Sequence, residues 1–374
     1  MRVCLYLEAE NVVSKSGFKR AFESHQKALR LVGVEVTTDP ADEPYELLHL
    51  HAFGPKSLYY LGKARREGIK VVVHAHSVGA HDFRDSFTMS NILAPLYELY
   101  LKFFYEQGDA VFTPTEFAKH QLLKASVRAR IEVVSNGVDQ ERFRFSPEKR
   151  AHYRQRFGLT RFTVFGAGNI IPRKGVDDFL DVAERLPQYD FIWYGQRWPK
   201  ALAFHPQLEK RLDERPPNVR LPGFVEDAPG AYSAGDVLLF PSRTETQGLV
   251  ILEAAALGRP VIVRDLPEYE DWLFHGENCL KGRTVEEFVE HLSHLAEDPR
   301  LYRRLADGAE QLAQEHSLER VGQRLKELYQ SVLDQPPRAQ PAVSVGTVDA
   351  ARAGHDPLQP WSALRDDFRR HPGL

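Results

Sequence analysis

In the stretch Pro241-Ser-Arg-Thr-Glu-Thr-Gln-Gly-Leu-Val-Ile-Leu-Glu-Ala-Ala-Ala-Leu-Gly-Arg-Pro260, a Gly-containing loop carrying Glu245 runs into an apolar segment carrying Glu253. Residues 249–257 are apolar all round apart from that one carboxylate, which predicts a buried helix. A buried carboxylate needs a partner, because an unpaired charge in the interior costs several kcal/mol. Upstream, Asp236-Val-Leu-Leu-Phe240 predicts a buried parallel strand, and Gly258 with Pro260 supplies a helix stop. The unit is therefore strand, loop, helix, and in open α/β sheets ligands bind at such loops. Taken alone, the two carboxylates allow two readings: Glu253 pairs with a core arginine and Glu245 is a loop residue, or both face a ligand.

The rest of the chain repeats this alternation. Residues 2–7, 46–51, 70–76, 110–114 and 131–135 predict strands, with helices over 18–32, 56–67 and 117–125 between them. Such a βαβ series makes a parallel sheet. Asn136-Gly-Val-Asp139 is a turn signal, and the domain junction is expected just beyond it. A charged connector to about residue 160 leads into a second series, with strands at 162–167, 191–194, 219–221, 237–240 and 261–263 and helices at 176–186, 285–297 and 299–315. The expected organisation is two Rossmann-like domains, 1–140 and 141–316, a helix over 317–334, and a Pro-rich, mostly disordered tail over 335–374.

Composition narrows the class. At 374 residues the chain is too long for one ordinary core. With 43 % hydrophobic and 27 % charged residues it has a globular composition, and no run approaches the roughly 20 apolar residues of a membrane span. Cys4 and Cys279 are too few for a disulfide framework or a cysteine zinc site, and the N-terminus offers too short an apolar run for a secretory signal, so a cytoplasmic setting is expected. The net charge of −3 predicts no general affinity for nucleic acid.

Gly166-Ala-Gly-Asn-Ile-Ile-Pro-Arg-Lys-Gly175 joins a strand to a helix whose first turn begins near Val176. Small residues let the backbone approach a diphosphate, which the helix N-terminus, Arg173 and Lys174 can then neutralise. A surface turn with two solvated cations is the alternative. Ile171 stands where a dinucleotide fingerprint needs its third Gly, and the loop lacks the Gly-Lys-Ser/Thr ending of an ATP-binding loop. In the first half, Gly17 follows the first strand in a loop with Lys15, Lys19 and Arg20, a second place for backbone amides and positive charge.

The Glu-x7-Glu spacing of Glu245 and Glu253 within this stretch resembles the donor-binding signature of retaining nucleotide-sugar glycosyltransferases of the GT-B fold, glycosyltransferase family 4. The resemblance runs from residue 1 to about 333 and implies two Rossmann-like parallel-sheet domains facing a cleft, with the last helix returning to the first domain. It implies that Glu253 accepts hydrogen bonds from the donor ribose and Glu245 lies beside the donor sugar. Lys174 falls on the family's lysine position, and Arg173, Lys174, Glu245 and His76 are the implied catalytic residues. Gly17, Asn169, Phe224, Gln247, Gly248 and Leu249 complete the implied donor side. Lys15, Arg20 and His76 form the implied acceptor side. Asn169 departs from the family, which usually carries Arg there. The donor implied is a UDP-sugar, with no cofactor and no metal.

Leu5-Tyr-Leu-Glu-Ala-Glu10, Gly54-Pro-Lys-Ser57, His74-Ala-His-Ser77 and Arg264-Asp-Leu-Pro-Glu-Tyr-Glu270 resemble a narrower group, the bacterial glycosyl-diacylglycerol synthases. This implies retaining transfer of glucose or galactose to diacylglycerol or a glycosyl-diacylglycerol, by an enzyme peripheral to the inner membrane face. Residues 86–105, rich in aromatic and aliphatic groups beside Lys102, suit an interfacial helix, though a core helix has the same composition. The rival expectations are a transferase acting on a soluble sugar or polysaccharide, a nucleotide-sugar epimerase, and an inactive nucleotide-sugar-binding scaffold.

Overall fold

The computed structural model describes residues 1–8, 17–86, 89–198 and 205–336. They form two six-stranded, wholly parallel sheets. The first comprises β1 (Arg2–Tyr6), β2 (Glu35–Thr37), β3 (Leu47–Leu50), β4 (Lys70–His74), β5 (Ala110–Thr113) and β6 (Arg130–Val133). The second comprises β7 (Thr163–Ala167), β8 (Asp190–Tyr194), β9 (Val219–Gly223), β10 (Val237–Phe240), β11 (Val261–Arg264) and β12 (Leu280–Gly282). This is the α/β, GT-B class of architecture anticipated above.

Strand sequence explains why both faces of each sheet are covered. In β10, Val237 and Leu239 enter one hydrophobic cluster while Leu238 and Phe240 enter another. In β4, Val71 and Val73 face one cluster and Val72 the other. Continuous apolar runs with period-two division between two cores are what a parallel sheet with helices on both sides requires.

Strand order fixes where ligands can sit. The first sheet runs β2-β1-β3-β4-β5-β6 and the second β12-β11-β10-β7-β8-β9. The order in which strands are added reverses between β1 and β3 in one and between β7 and β10 in the other, which opens a crevice beyond the carboxyl ends of those strands. The loops after β7 and β10 are the Gly166–Gly175 and Pro241–Gly248 segments.

Several elements escaped sequence reading. The charged connector contains a helix, Pro147–Phe157, started by Ser146 and stopped by the left-handed Gly158. It buries only Tyr153, so it has no apolar stripe to reveal it. The three-residue edge strands β2 and β12 are too short for a period to show. The strand expected over 70–76 stops at His74, and the His76 amide turns back to donate to the His74 carbonyl at 3.1 Å. The expected tail lies, from residue 337 onward, outside the described residues.

The helix Leu318–Leu333 packs Val321, Leu325, Leu328 and Val332 into the cluster that holds Val3, Leu5, Ala28 and Leu29 of the first domain. Its approach to the helix Gly17–Leu31 depends on Gly322, where a Cβ would lie 2.2 Å from the Ala28 carbonyl oxygen. Backbone cannot yield as a flexible side chain does. Gly322→Ala should therefore destabilise the protein by about 1–3 kcal/mol, read as a fall in Tm by circular dichroism. Gly62→Ala, where the added methyl meets only the end of Arg66 at 3.8 Å, should not lower Tm.

Candidate active site

The two loops at the switch point of the second sheet interlock. Gly175 adopts φ 67°, and a Cβ there would come 2.2 Å from the Pro241 carbonyl oxygen, so only glycine permits the crossing. The Arg243 amide donates to the Arg173 carbonyl at 2.7 Å, fastening one loop to the other. Behind Gly175 the helix Val176–Arg185 points its amino end into the same space.

This crossing brings Lys174 against Glu245. Their side chains form a buried ion pair, with the Ser242 hydroxyl donating to Glu245 Oε1 at 2.7 Å. Burial alone would raise the Glu245 pKa, but the Lys174 charge, then Arg173, and the Ser242 and Lys174 hydrogen bonds outweigh it and hold the carboxylate below its usual range. Burial pulls Lys174 down from the ordinary lysine value, and Glu245 opposes that. Arg173 reaches outward: Nε donates to Ser86 Oγ at 2.8 Å, and a guanidinium nitrogen lies 3.3 Å from the Thr244 carbonyl.

Glu253 lies on the helix Leu249–Ala256, which begins after Gly248 at φ 84° and is apolar save for that carboxylate. Its partner comes from the other domain. One guanidinium nitrogen of Arg20, on the helix Gly17–Leu31, lies 2.8 Å from both Glu253 oxygens. Glu253 is 4 % exposed and Arg20 28 %, so the pair opens on one side. The opening is a pocket lined by Arg20, Lys27, Asp139, Arg142, Leu249 and Glu253.

Other contacts join the same edges. Gln247 is buried; Oε1 accepts from the Asn136 backbone and side-chain amides at 3.0 and 2.9 Å, and Nε2 donates to Ser135 Oγ at 2.8 Å. Thr115 donates to the Thr246 carbonyl at 2.9 Å. His81 Nε2 meets the buried Glu268 at 2.9 Å. Asp82 anchors the turn after β4 by accepting from the Val78 amide at 2.8 Å. Sequence reading did not single out His81, Asp82, Ser86, Thr115, Ser242 or Glu268; a lone polar residue in a loop carries no periodic signal.

Of the residues named from sequence, the structure gathers Arg173, Lys174, Glu245, Gln247 and Gly248 around the interlocked loops, with Asn169 at the start of one. Arg20 lies against Glu253 rather than on a separate acceptor side. Gly17 begins its helix close to Leu249, which a Cβ on Gly17 would approach to 3.8 Å. Phe224 follows β9. His76 is buried, stacked on Phe18 with ring centroids 4.9 Å apart, and its Nε2 lies 3.0 Å from His51 Nδ1. Lys15 lies outside the described residues.

A doubly wound pair of sheets with cations and buried carboxylates at the switch point of the second describes a GT-B transferase, and comparison with known proteins agrees. A family model described as Glycosyltransferase Family 4 matches residues 10–142, and one described as Glycosyl transferases group 1 matches residues 161–298. The processive diacylglycerol alpha-glucosyltransferase of Acholeplasma laidlawii is 35 % identical over 338 residues, covering 89 % of this chain and 99 % of that protein. The alpha-galactosylglucosyldiacylglycerol synthase of Streptococcus pneumoniae is 29 % identical, over 73 % of this chain and 74 % of its own length. Among solved structures, Anabaena HepE in complex with UDP and glucose superposes with a TM-score of 0.70 at 20 % identity, covering 88 % of this chain and 100 % of that one. Sucrose-phosphate synthase from Thermosynechococcus elongatus superposes with a TM-score of 0.74 at 17 % identity, covering 89 % and 99 %. The chain belongs to glycosyltransferase family 4 and is a glycosyltransferase.

Removing Arg20 strands a buried carboxylate. Arg20→Leu should cost about 1–3 kcal/mol, below the roughly 3–5 of a fully buried pair because the Arg20 side chain is 28 % exposed. Adding Glu253→Gln to Arg20→Leu should recover part of that loss, a non-additivity that a double-mutant cycle in urea measures.

Proposed function

We propose that this enzyme transfers a hexose, glucose or galactose, from a UDP-sugar to diacylglycerol or a glycosyl-diacylglycerol with retention of anomeric configuration. The observation that carries the reading is the 35 % identity to a diacylglycerol alpha-glucosyltransferase across 89 % of this chain and 99 % of that one. In this reading Glu253, steadied by Arg20, accepts from the ribose hydroxyls; a carboxylate offers its oxygens to adjacent hydroxyls, and charged acceptors bind more strongly than neutral ones. The diphosphate lies over the Gly166–Gly175 loop, where Arg173, Lys174 and the first amides of the helix Val176–Arg185 stabilise the negative charge that develops as UDP leaves. These cations take the part a metal plays elsewhere, so transfer is metal-independent. Glu245, held in place by Lys174 and Ser242, orients the sugar, and His76 lies near its anomeric carbon. The leaving phosphate assists deprotonation of the acceptor hydroxyl on the same face, so no enzymic nucleophile is assigned.

The acceptor demands contact with a membrane surface. Among the described residues no helix is long and apolar enough to cross a bilayer. The helix Ser90–Tyr105, with Met89 before it, instead exposes Met89, Ile92, Leu93, Leu96, Leu99 and Phe103 at helical spacing, while Ala94, Leu101, Phe104 and Tyr105 face the core. Ile92 is 72 % exposed and Leu96 66 %, a continuous apolar stripe of the kind that marks an interaction surface. We assign it to the lipid interface, where such a helix lies in the plane of the headgroups.

Labelled UDP-glucose or UDP-galactose, offered without added metal to diacylglycerol, glucosyl-diacylglycerol or a water-soluble glycan, tests the reading. Label should pass into lipid; label found only in the glycan would transfer the assignment to a soluble acceptor. Lys174→Met should lower kcat by about 10²–10³-fold, and Glu253→Gln should act chiefly on the donor KM.

The stripe makes its own prediction. Leu96→Glu combined with Leu99→Glu should abolish sedimentation with phospholipid vesicles and depress transfer to vesicle-borne diacylglycerol. Hydrolysis of the donor in the absence of acceptor should stay near the wild-type rate, since neither leucine touches the loops of the second sheet.

A further inference from the structure

Five histidines crowd the carboxyl edge of the first sheet. His49 and His51 come from β3 and its exit, His74 and His76 from β4 and its exit, and His25 from the helix Gly17–Leu31; their exposures run from 0 to 6 %. Ring centroids of His25 and His51 are 5.3 Å apart, of His25 and His74 4.9 Å, and of His51 and His74 4.9 Å. His25 shares the buried face of its helix with Ala21, Phe22, Ala28 and Leu29, a position where an aliphatic side chain would pack without any polar debt.

The nitrogens facing this cluster lack partners. His25 Nε2 lies 3.1 Å from the Ser135 carbonyl, which can only accept, so Nε2 carries the proton and Nδ1 presents a lone pair. That Nδ1, His51 Nε2 and both nitrogens of His74 are buried without a hydrogen bond of good geometry, although the Asn136 side chain lies near enough to His74 to act on it. Each such atom destabilises the fold if it stays unsatisfied. Several at one point call for a common ligand that accepts lone pairs.

We propose that His25, His51 and His74 bind a divalent transition-metal ion of the zinc class, at a site separate from the diphosphate loops. Each of the three offers a nitrogen within 4.8 Å of those of the other two. Tetrahedral zinc at about 2.0–2.1 Å from each nitrogen needs them roughly 3.3 Å apart, so the rings must close in as the ion binds. Imidazole is a ligand of zinc, copper and nickel, and carboxylate-preferring magnesium or calcium finds no oxygen ligand among the three. A ligating histidine characteristically donates its other ring nitrogen to a backbone carbonyl, as His25 does to Ser135.

The test reads metal rather than turnover, so its outcome is independent of the acceptor and donor assigned above. Full-length, untagged protein is stripped with chelator, incubated with zinc chloride, desalted and assayed for zinc by mass spectrometry. Near-stoichiometric zinc is expected in the wild type, with affinity more than about 10-fold lower in His25→Gln and in His74→Gln. No retained zinc in the wild type, or equal retention in folded variants, overturns the proposal. Should a variant fail to fold, cobalt loading of the wild type decides. Intense visible d–d bands of a four-coordinate nitrogen site, lost on adding zinc, support the site; the weak spectrum of six-coordinate aqueous cobalt overturns it.

Discussion

Burying Glu245 and Glu253 at one switch point is the constraint to which the surrounding structure answers. A carboxylate taken out of water must be met by a cation and hydrogen bonds, or it protonates or unfolds its surroundings. Glu245 is met locally, by Lys174 and Ser242 across two interlocked loops. Glu253 is met from the other domain, by Arg20. Such pairs add little net stability, but their geometry is exacting, and the second fixes how the helix Gly17–Leu31 stands over the second sheet. Gln247 works the same way with a neutral side chain, its amide satisfied by Asn136 and Ser135 at the exit of β6.

The same economy of elements links this edge to the outer surface. The helix Ser90–Tyr105 turns Tyr97 and Tyr105 inward, where their hydroxyls donate to the Ser77 hydroxyl at 2.9 Å and the Ser77 carbonyl at 2.7 Å. Ser77 follows His76, and the turn it opens leads through His81 to Ser86, residues that touch Glu268 and Arg173 of the second domain. One helix thus has its inner face on the exit of β4 and its apolar stripe in solvent.

Fold class and the neighbourhood of the site were legible because their signals are local. Apolar runs such as Val71-Val-Val73 and Val237-Leu-Leu-Phe240 declare buried parallel strands, and the glycines at 166, 168 and 175 declare a tight strand-to-helix loop. The demand that Glu253 have a partner was also legible, from the apolar stretch 249–257 around it. The partner was not: Arg20 lies 233 residues away, and nothing in either segment names the other. The helix Pro147–Phe157 was hidden for the opposite reason, since a charged sequence held by its caps and one tyrosine has no period to detect. The outward direction of the stripe at Ile92, Leu96 and Leu99 was likewise undecided, because composition does not say which face of a helix meets the core.

Asn169, where the family resemblance leads one to expect Arg, adds no positive charge to the loop proposed to cradle the diphosphate, and the cations around it are engaged in different ways. Arg20 and Lys174 are already committed, each to a buried carboxylate. Arg173 is not: its hydrogen bonds go to neutral oxygens, Ser86 Oγ and the Thr244 carbonyl. Asp82 feels its field, while burial raises the pKa of that carboxyl above its ordinary value. Arg173, hydrogen-bonded only to neutral oxygens although its charge also acts on Glu245, is the cation from which the proposed diphosphate site would draw in place of one at Asn169. Because it is tethered to Ser86 in the first domain, its position depends on how the two domains stand. If the diphosphate lies over this loop as proposed, donor affinity and domain apposition are coupled through that side chain, because separating the sheets would also draw the Arg173 charge away from it.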